Sequence, residues 1–389
     1  MRVLTVGGGS GGHVTPVRAV INELSRHDPH VDVRFICDRR FSKQAIDIMK
    51  HADIPVRVST IVAGKIRRYH GVSLWKQLLD LPTTFLNLRD IFLVAVGVIQ
   101  SIYILLSWRP DVIFTKGGFV CLPMGIAAKI VAIPLVIHDS DAHPGLTNRI
   151  LARWATFIAT GAPLKNYPYP IKKSSYVGIP VDQSFHPYTL NEQTVAKSYL
   201  GLVDITKPLV VVTGGGLGAK RINDAMTQIG SQLIEEGVCV YHVTGQGQYE
   251  AVMRDAPQSV DYMVVSFVSE RMHDVLGAAD VVVTRAGATT LLELAALAKP
   301  IIIVPNPMLT GGHQTKNAAV YAEANAAVVV EEASLLNSQT LYKAISKLLS
   351  SPDDAKSYGE RLHAFTKPDA ALDVAGLIVK AVVAKGRAV

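Results

Sequence analysis

The first sixteen residues constrain the fold of this chain more than any other stretch does. An apolar segment at 3–6 runs into five glycines and one serine at 7–12, and His13 follows directly. Glycines let the backbone turn sharply and lie close to a ligand, and the start of a following helix attracts phosphate. The pattern therefore predicts an anion-binding loop between a strand and a helix.

A second loop of this kind, at 214–219, lies about halfway along the chain. Two such segments predict two Rossmann-like domains that face each other across a cleft. Apolar strands alternate with helices throughout, so the fold class is α/β with doubly wound parallel sheets. The strands are predicted at 3–6, 31–37, 56–61, 112–115, 135–138, 157–160, 175–177, 209–213, 238–244, 262–266, 281–284, 301–304 and 327–330.

A turn-rich segment at 178–187 predicts a hinge between the two domains. We expect the amino-terminal domain to span 1–180 and the carboxy-terminal domain to span 181–369. A final helix, within 370–389, is expected to pack back onto the first domain.

The charge balance favours an anionic partner, because 39 basic side chains oppose 32 acidic ones and the net charge is +7. An anionic membrane surface would fit the same balance. No basic run or zinc-finger spacing is present, so nucleic-acid binding is not expected. Three widely spaced cysteines are typical of reduced thiols in a cytosolic chain, and the chain begins with a strand, so no signal peptide is expected.

Residues 91–106 are almost wholly apolar, interrupted by Gln100 and Ser101. This segment is shorter than the roughly 20 residues that span a bilayer. A helix buried for most of its surface is therefore the favoured interpretation. The alternative is a monotopic contact with anionic lipid, because further apolar residues at 75–86 and the cations Lys65, Arg67, Arg68 and Lys76 precede the segment.

His13 is a candidate general base. It follows the first glycine loop at a predicted helix start, where the helix dipole lowers the pKa of an imidazole and keeps it neutral. The alternative is a hydrogen bond to a neighbouring loop. A second small-residue turn at 115–124 either directs backbone amides toward the same pocket or is only a tight turn. The loop at 138–143 carries carboxylates and histidines, but no further cluster completes a metal site.

Polar residues also mark two helix starts in the second half. Thr289 and Thr290 are predicted to cap a helix on which Glu293 is the only charge. A carboxylate there suits the two vicinal hydroxyls of a ribose, and the alternative is an exposed residue that balances the helix dipole. His313, Gln314 and Asn317 enter the next helix together and offer neutral donors and acceptors for sugar hydroxyls.

These segments resemble the MurG family, within glycosyltransferase family 28, whose members add GlcNAc from UDP-GlcNAc to lipid I in peptidoglycan synthesis. The segments that carry the resemblance are GGGSGGHVTP (7–16), GGFVCLP (117–123), GLTNRILA (145–152), GGGLGA (214–219), RAGATTLLELAAL (285–297) and HQTKNA (313–318). The resemblance implies a GT-B fold and an inverting transfer that needs no metal or cofactor. It also implies a peripheral position on the cytoplasmic face of the cell membrane, through the region 65–106, with other cell-wall enzymes as candidate partners.

The resemblance also implies the site residues. His13 would be the first choice for the general base, and Asp139 or Asp141 could share that role. Acceptor binding would involve Gly9, Ser10, Gly11, Gly12, His13, Gly117, Gly118, Phe119, His138 and Asn148. UDP-GlcNAc binding would involve Gly214, Gly215, Gly216, Leu217, Gly218, Phe267, Val268, Arg285, Gly287, Ala288, Thr289, Thr290, Glu293, His313, Gln314 and Asn317. Within that second set, Phe267 and Val268 would line the uracil pocket and Glu293 would bind the ribose.

The chain departs from the family pattern at three places. Gly216-Leu217 stands where the family usually has Ser-Gln, Asp182 stands where it has Arg, and 138–141 reads His-Asp-Ser-Asp instead of His-Glu-Gln-Asn. Three alternatives stay open. One is a transferase for another lipid acceptor, such as a diacylglycerol, and one is a non-catalytic membrane-associated homologue. The third is a nicotinamide-dependent oxidoreductase, which Gly7-x-Gly9-x-x-Gly12 with Asp38 would fit.

Overall fold

The structure is a computed structural model that describes residues 1–8, 11–65, 80–141, 144–308, 312–384 and 386. The chain forms two compact units. The first unit comprises Met1–Asp182 and Lys367–Val389, and the second comprises Gln183–Thr366. Each unit is built around one parallel sheet, as the alternation of strands and helices predicts.

The first unit contains a seven-stranded sheet in the order β3-β2-β1-β4-β5-β6-β7, in which every neighbouring pair is parallel. Its strands are β1 (Arg2–Val6), β2 (Asp32–Asp38), β3 (Arg57–Ile61), β4 (Val112–Thr115), β5 (Leu135–Asp139), β6 (Phe157–Thr160) and β7 (Ser174–Tyr176). The central strands β1, β4 and β5 are buried along nearly their whole length. The order reverses direction between β1 and β4, and loops that leave the carboxyl ends there form the crevice where such sheets bind ligands.

Helices cover both faces of this sheet. They are α1 (Thr15–His27), α2 (Ser42–Met49), α3 (Leu81–Trp108), α4 (Cys121–Ile130), α5 (Leu146–Leu151) and α14 (Ala370–Val383), the last helix of the chain. The helix α14 packs against α1 in one apolar core, in which Val374 and Ile378 lie with Val17 and Ile21. The carboxy-terminal segment is thereby part of the first unit.

The second unit contains a six-stranded parallel sheet in the order β10-β9-β8-β11-β12-β13. Its strands are β8 (Leu209–Thr213), β9 (Cys239–Val243), β10 (Tyr262–Val265), β11 (Val281–Thr284), β12 (Ile301–Ile303) and β13 (Val328–Val329). Its helices are α6 (Leu190–Tyr199), α7 (Lys220–Glu235), α8 (Tyr249–Asp255), α9 (Met272–Ala278), α10 (Ala288–Ala296), α11 (His313–Glu323), α12 (Gln339–Ser350) and α13 (Pro352–His363). Loops again leave the sheet on either side of a direction reversal, here between β8 and β11.

All thirteen predicted strands are confirmed, with ends that shift by at most one residue. The sequence analysis did not assign α6, although a local signal for it exists. Thr189 accepts a hydrogen bond from the backbone of Glu192, and the Glu192 side chain accepts one from the backbone of Thr189. This capping box is a recognised start signal for a helix.

The interpretation of 91–106 as a mostly buried helix is wrong. The helix α3 is longer than predicted, because the Asp80 side chain caps it by accepting from the backbone of Thr83. Only 28% of its most apolar 18-residue window is buried. The buried face carries Leu105 and Trp108, while Phe92 and Ile99 are 68% and 69% exposed.

The packing of α14 predicts a large and local cost for truncating Ile378. We expect Ile378→Ala to lower the free energy of unfolding of the first unit by about 2–5 kcal/mol, since it leaves a cavity in a fully buried site. Leu372→Ala on the exposed side of the same helix should change it by less than about 0.5 kcal/mol. Urea unfolding of both variants measures this, and equal effects would contradict the packing described.

Candidate active site

The candidate site in the first unit is built on the carboxyl ends of β1 and β4. The first glycine loop leaves β1, and Gly7 donates its backbone N–H to Ile36 O at 3.1 Å. The turn after β4 is tied to β1, because the backbone N–H of Lys116 donates to Val6 O at 3.0 Å. Neighbouring parallel strands thus bring the two glycine loops together.

Gly118 lets the two loops touch. It has a φ of +88°, and a Cβ there would lie 3.1 Å from Gly8 O and 3.6 Å from His13 Nε2. A side chain at 118 would therefore strain the backbone and crowd the histidine. Gly117, with a φ of +92°, lies similarly close to Asn148. Gly9 and Ser10 lie outside the described residues.

His13 is held as a neutral imidazole. It ends a one-turn 3-10 helix, Gly11–His13, that directly precedes α1. Burial, together with the nearby ammonium of Lys116, lowers the pKa of His13 to about 4 against an opposing effect of Asp141. Within the described part of the chain the buried Nδ1 has no hydrogen-bond partner. A neutral ring with unsatisfied polarity next to two glycine loops can accept a proton from a bound hydroxyl.

Asp139 is a second group with an altered pKa. It is 3% exposed at the end of β5, and Tyr169 donates its hydroxyl hydrogen to Asp139 Oδ2 at 2.7 Å. Burial raises the pKa of this carboxyl to about 7, against the lowering effect of the Tyr169 hydrogen bond. The carbonyl of Asp141 accepts from the Tyr167 hydroxyl at 2.6 Å. Asp139 is therefore a proton donor and acceptor near neutral pH.

Lys116 was not singled out from the sequence. A charged residue between a buried strand and a pair of glycines could have indicated a functional side chain. Its side chain is 1% exposed, and its ammonium donates to the Ser140 hydroxyl. Burial lowers the pKa of Lys116 to about 8, while Asp141 and Asp139 oppose that shift. A buried cation thus lies among the loops that surround His13.

The ring of His138 is held by hydrogen bonds within the protein. Its Nε2 donates to Gly178 O at 2.7 Å, and its Nδ1 lies 3.3 Å from Ser140 Oγ. The Asn148 side chain donates to the His138 carbonyl at 3.0 Å. Both ring nitrogens of His138 are engaged, so these contacts leave it no free nitrogen for a ligand. Phe119 packs against the apolar core instead of joining these polar groups.

Two acidic residues that the sequence singled out have local partners in the first unit. Asp182 pairs with Arg18 of α1 at 3.4 Å, so its negative charge is balanced within the unit. Asp38 accepts the backbone N–H groups of Arg40 and Phe41 at 3.0 and 3.1 Å. This turn-capping role accounts for the acidic residue that the oxidoreductase alternative required.

The candidate site in the second unit centres on the loop after β8. Gly215 donates its backbone N–H to Thr213 Oγ1 at 3.2 Å, and Gly218 closes the turn by donating to Gly215 O at 2.9 Å. A Cβ at Gly216 would lie 3.7 Å from the Phe267 ring, so the predicted uracil-pocket residue borders this loop. Leu217 is 73% exposed at its tip, and Val268 is half-buried.

Arg285 is buried and locally satisfied. Its Nη1 donates to Val304 O at 3.1 Å, and its Nη2 pairs with Glu332. Glu332 lies in a short 3-10 helix, Glu332–Leu336, and the sequence analysis did not single it out. The pair indicates that Arg285 joins two loops of this site, with its charge balanced by a neighbouring carboxylate.

The predicted capping role of Thr289 and Thr290 is wrong. Gly287 is the N-cap of α10, which begins at Ala288, and both threonines lie in its first turn. Gly287 has no side-chain oxygen, so it makes no side-chain cap to the first turn of this helix. Glu293 follows on the same helix and is 9% exposed, so the alternative of an exposed residue that only balances the helix dipole does not describe it.

The start of α11 is tied to neighbouring loops. Gln314 accepts the backbone N–H of Asn306 at 2.8 Å through Oε1, which leaves its amide hydrogens available. Asn317 donates to Ala286 O at 3.0 Å and is buried. The side chain of His313 lies outside what the structure describes.

Metal ligands do not gather in the described part of either unit, where no group of three or more His, Cys, Asp or Glu side chains could hold an ion. His143, which belongs to the loop singled out for possible metal ligands, lies outside the described residues. The polar groups near His13 are instead bound to one another.

Comparison with known proteins adds independent information. Residues 3–160 match the family model "Glycosyltransferase family 28 N-terminal domain", and residues 209–374 match "Glycosyltransferase family 28 C-terminal domain". The chain is 32% identical to the UDP-N-acetylglucosamine--N-acetylmuramyl-(pentapeptide) pyrophosphoryl-undecaprenol N-acetylglucosamine transferase of Natranaerobius thermophilus, over 97% of this chain and 99% of that one. It is 29% identical to the enzyme of the same name from Bacillus subtilis, over 95% and 97%.

Solved structures support the same fold. The crystal structure of Acinetobacter baumannii MurG aligns with a TM-score of 0.65 and 23% identity, over 97% of this chain and 99% of that one. UDP-GlcNAc 2-epimerase from Neisseria meningitidis, bound to UDP-GlcNAc, aligns with a TM-score of 0.66 and 13% identity, over 98% and 100%. At these identities the structural likeness concerns the fold alone.

The raised pKa of Asp139 predicts a measurable dependence of stability on pH. The folded state holds the proton up to pH about 7, whereas an unfolded aspartate releases it near pH 4. This carboxyl therefore favours folding at low pH, and its contribution is lost as the pH rises to about 7. Asp139→Asn removes that loss, so its stability relative to the unmodified chain should rise by about 3 kcal/mol between pH 5 and pH 8.

Urea unfolding of both chains at pH 5, 6.5 and 8 measures the difference. Asp373→Asn, at an exposed position of α14, provides the matched control. A pH-independent difference for Asp139→Asn would mean that the buried carboxyl is ionised throughout.

Proposed function

The chain belongs to glycosyltransferase family 28, and on that premise we propose that it transfers GlcNAc from UDP-GlcNAc to lipid I, giving lipid II. The observation that carries this conclusion is the match, over 97% of the chain, to a relative whose name states this reaction. The acceptor is an N-acetylmuramyl-peptide joined through diphosphate to undecaprenol. Both family domains are present in order, so each substrate has a unit that can bind it.

The first unit is proposed to bind lipid I. Its two glycine loops meet at Gly118, and backbone N–H groups of such loops suit a diphosphate. The buried ammonium of Lys116 adds positive charge beneath them. His13 lies beside the same glycine pair, where a hydroxyl of the N-acetylmuramyl sugar can be deprotonated.

The second unit is proposed to bind UDP-GlcNAc. Glu293 is nearly buried on α10 and would accept hydrogen bonds from the ribose hydroxyls. Phe267 borders the glycine loop and would pack against the uracil base together with Val268. Gln314 is held by Asn306 through its oxygen, so its amide hydrogens can donate to the GlcNAc hydroxyls.

The proposed reaction is a single displacement that inverts the anomeric carbon. The acceptor hydroxyl attacks that carbon, the bond to the UDP oxygen breaks on the opposite face, and His13 takes the hydroxyl proton. Backbone N–H groups of the 214–219 loop would stabilise the charge that develops on the leaving diphosphate. Alignment of the two substrates supplies much of the remaining rate enhancement.

His13 is preferred over Asp139 as general base because of its surroundings. The His13 ring borders Gly118 and is neutral down to pH about 4. Asp139 is covered by Tyr169 and is 3% exposed. Asp139 is therefore proposed to hold the protein groups around His13 in place.

Membrane attachment is proposed to use the exposed face of α3. Among the described residues, one helix, Thr83–Trp108, is long and apolar enough to cross a bilayer. Core helices of soluble proteins can have the same length and composition. Its exposed apolar side chains recur at helical spacing, which makes a stripe along one face: Phe85, Leu88, Phe92, Ile99, Tyr103 and Leu106. An apolar stripe on a basic protein suits a peripheral position on an anionic membrane, which for this reaction would be its cytoplasmic face. The cations Arg67 and Arg68 lie outside the described residues.

The reaction itself is tested with labelled UDP-GlcNAc and a short-chain lipid I analogue. We expect a labelled disaccharide product. A parallel incubation with diacylglycerol tests the other lipid acceptor. Product from diacylglycerol alone would overturn the proposed acceptor, and no transfer to either lipid would favour a non-catalytic homologue.

The assignment of His13 predicts a specific kinetic defect. His13→Ala should lower turnover by about 10²–10⁴-fold, since it removes the general base. His27→Ala, an exposed histidine of α1, should leave turnover unchanged. In the unmodified enzyme kcat/KM should fall only as the pH approaches about 4, because a base works in its deprotonated form. An acid limb near pH 7 would transfer the role to Asp139.

The stripe on α3 predicts how the protein binds lipid. Phe92→Asp combined with Ile99→Asp should weaken binding to anionic liposomes at least about 10-fold, because two large apolar side chains no longer enter the lipid. Leu190→Asp, at an 85% exposed position of the second unit, is the matched control. Liposome flotation gives the bound fraction, and equal flotation of both variants would refute this surface.

A further inference from the structure

A buried chain of hydrogen bonds runs beneath the second glycine loop. The Tyr262 hydroxyl lies 3.0 Å from His242 Nδ1, and His242 Nε2 lies 3.0 Å from Asn223 Oδ1. Asn223 Nδ2 in turn donates to Gln248 Oε1 at 2.8 Å. Tyr262, His242 and Asn223 are each less than 5% exposed. These four side chains connect the core around β9 and β10 to the surface beside the loop.

The direction of this chain is set by one backbone carbonyl. Asn223 Nδ2 also donates to Thr244 O at 3.0 Å, and a carbonyl oxygen only accepts. The Asn223 amide is therefore oriented with its nitrogen toward Thr244 and Gln248 and its oxygen toward His242. His242 must then donate from Nε2 and accept from the Tyr262 hydroxyl at Nδ1. Burial keeps His242 neutral by lowering its pKa to about 4, which agrees with this arrangement.

This series of hydrogen bonds ends at Gln248 and leaves its amide hydrogens as donors at the outer end. Gln248 Oε1 is occupied by Asn223, so the Nε2 amide group is the end that remains. Gln248 Nε2 lies 3.2 Å from the position that a Cβ of Gly218 would take. Gln248 is half-buried, in the 3-10 helix Gln246–Gln248, and its amide nitrogen borders the loop.

The loop itself has no polar side chain. Residues 214–219 read Gly-Gly-Gly-Leu-Gly-Ala, so any side-chain donor to a ligand on this loop must come from a neighbour. Gly218 and Gly245 bring that neighbour close, because a Cβ at Gly245 would lie 2.4 Å from Gly218 N. The loop and the Gln246–Gln248 helix are thus in direct backbone contact.

We propose that Gln248 donates a side-chain hydrogen bond to the diphosphate of the UDP donor, with Asn223, His242 and Tyr262 as residues that position its amide. This inference rests on the proposed function. Phosphate oxygens accept hydrogen bonds strongly, and an amide whose orientation is already set loses little freedom on binding. Because the diphosphate is the leaving group, the same hydrogen bond would stabilise the charge that develops during transfer.

The test compares UDP with uridine, which lacks the phosphates. Gln248→Leu should weaken UDP binding about 10-fold, as expected for the loss of a hydrogen bond to a charged group. Gln248→Glu keeps the shape and the acceptor for Asn223 but places a carboxylate near the phosphates, so it should weaken UDP binding further. Uridine binding should stay within about twofold of the unmodified chain in both variants.

Gln246→Leu, at an exposed position of the same 3-10 helix, is the matched control and should bind both ligands normally. Titration calorimetry measures the affinity for UDP, and displacement of a labelled UDP analogue measures the affinity for uridine. Normal UDP binding by Gln248→Glu, or an equal loss of affinity for UDP and for uridine, would overturn this inference but not the proposed function. Failure of the unmodified chain to bind UDP would instead overturn the proposed function on which it rests.

Discussion

Backbone contact between glycine loops is the constraint on which both sites depend. In a parallel sheet the carboxyl ends of neighbouring strands lie at the same edge, so the loops that follow them must share that space. Gly118 meets Gly8 in the first unit, and Gly218 lies so close to Thr244 O that a Cβ would be 2.1 Å away. Each contact brings peptide groups together where side chains would otherwise separate them. The residues around each contact are then held by strands instead of by flexible connections.

Burial next to these loops gives the first unit its chemical character. In water the side chains of Lys116, His13 and Asp139 would have their ordinary pKa values. Burial shifts the pKa of each in the direction that favours the neutral form: down for Lys116 and His13, and up for Asp139. Removing charged groups from water is costly, and the neighbouring hydrogen bonds and opposite charges offset only part of that cost. The site therefore holds two groups with pKa values near neutral pH, Lys116 and Asp139, and a histidine that is neutral there. In the second unit the same burial acts on His242, which links a core tyrosine to the edge of the glycine loop.

The two sites differ in how their charges are balanced. In the second unit Arg285 pairs with Glu332 and the loop 214–219 has no polar side chain, so a diphosphate there would depend on backbone N–H groups and on nearby neutral amides. In the first unit a buried ammonium lies beneath the loops. This difference is consistent with one diphosphate that must leave during the reaction and another that remains attached to the lipid. The exposed stripe on α3 belongs to the unit proposed to bind that lipid.

The strand pattern and the glycine loops were readable from the sequence because they depend on local rules. Apolar runs spaced by helices determined all thirteen strands, and strand–glycine–helix segments determined where the loops lie. Tertiary structure decided which polar side chains bind other groups of the protein and which can bind a ligand. His138 and Arg285 were both assigned to ligands, yet their contacts lie within the protein, because partners distant in sequence, Gly178 and Glu332, are brought beside them. Gln248 and Lys116 acquired their positions in the same way, and only the tertiary structure showed how little of α3 is buried. Periodicity is a property of neighbours along the chain, whereas burial and hydrogen-bond partners exist only once distant segments have packed together.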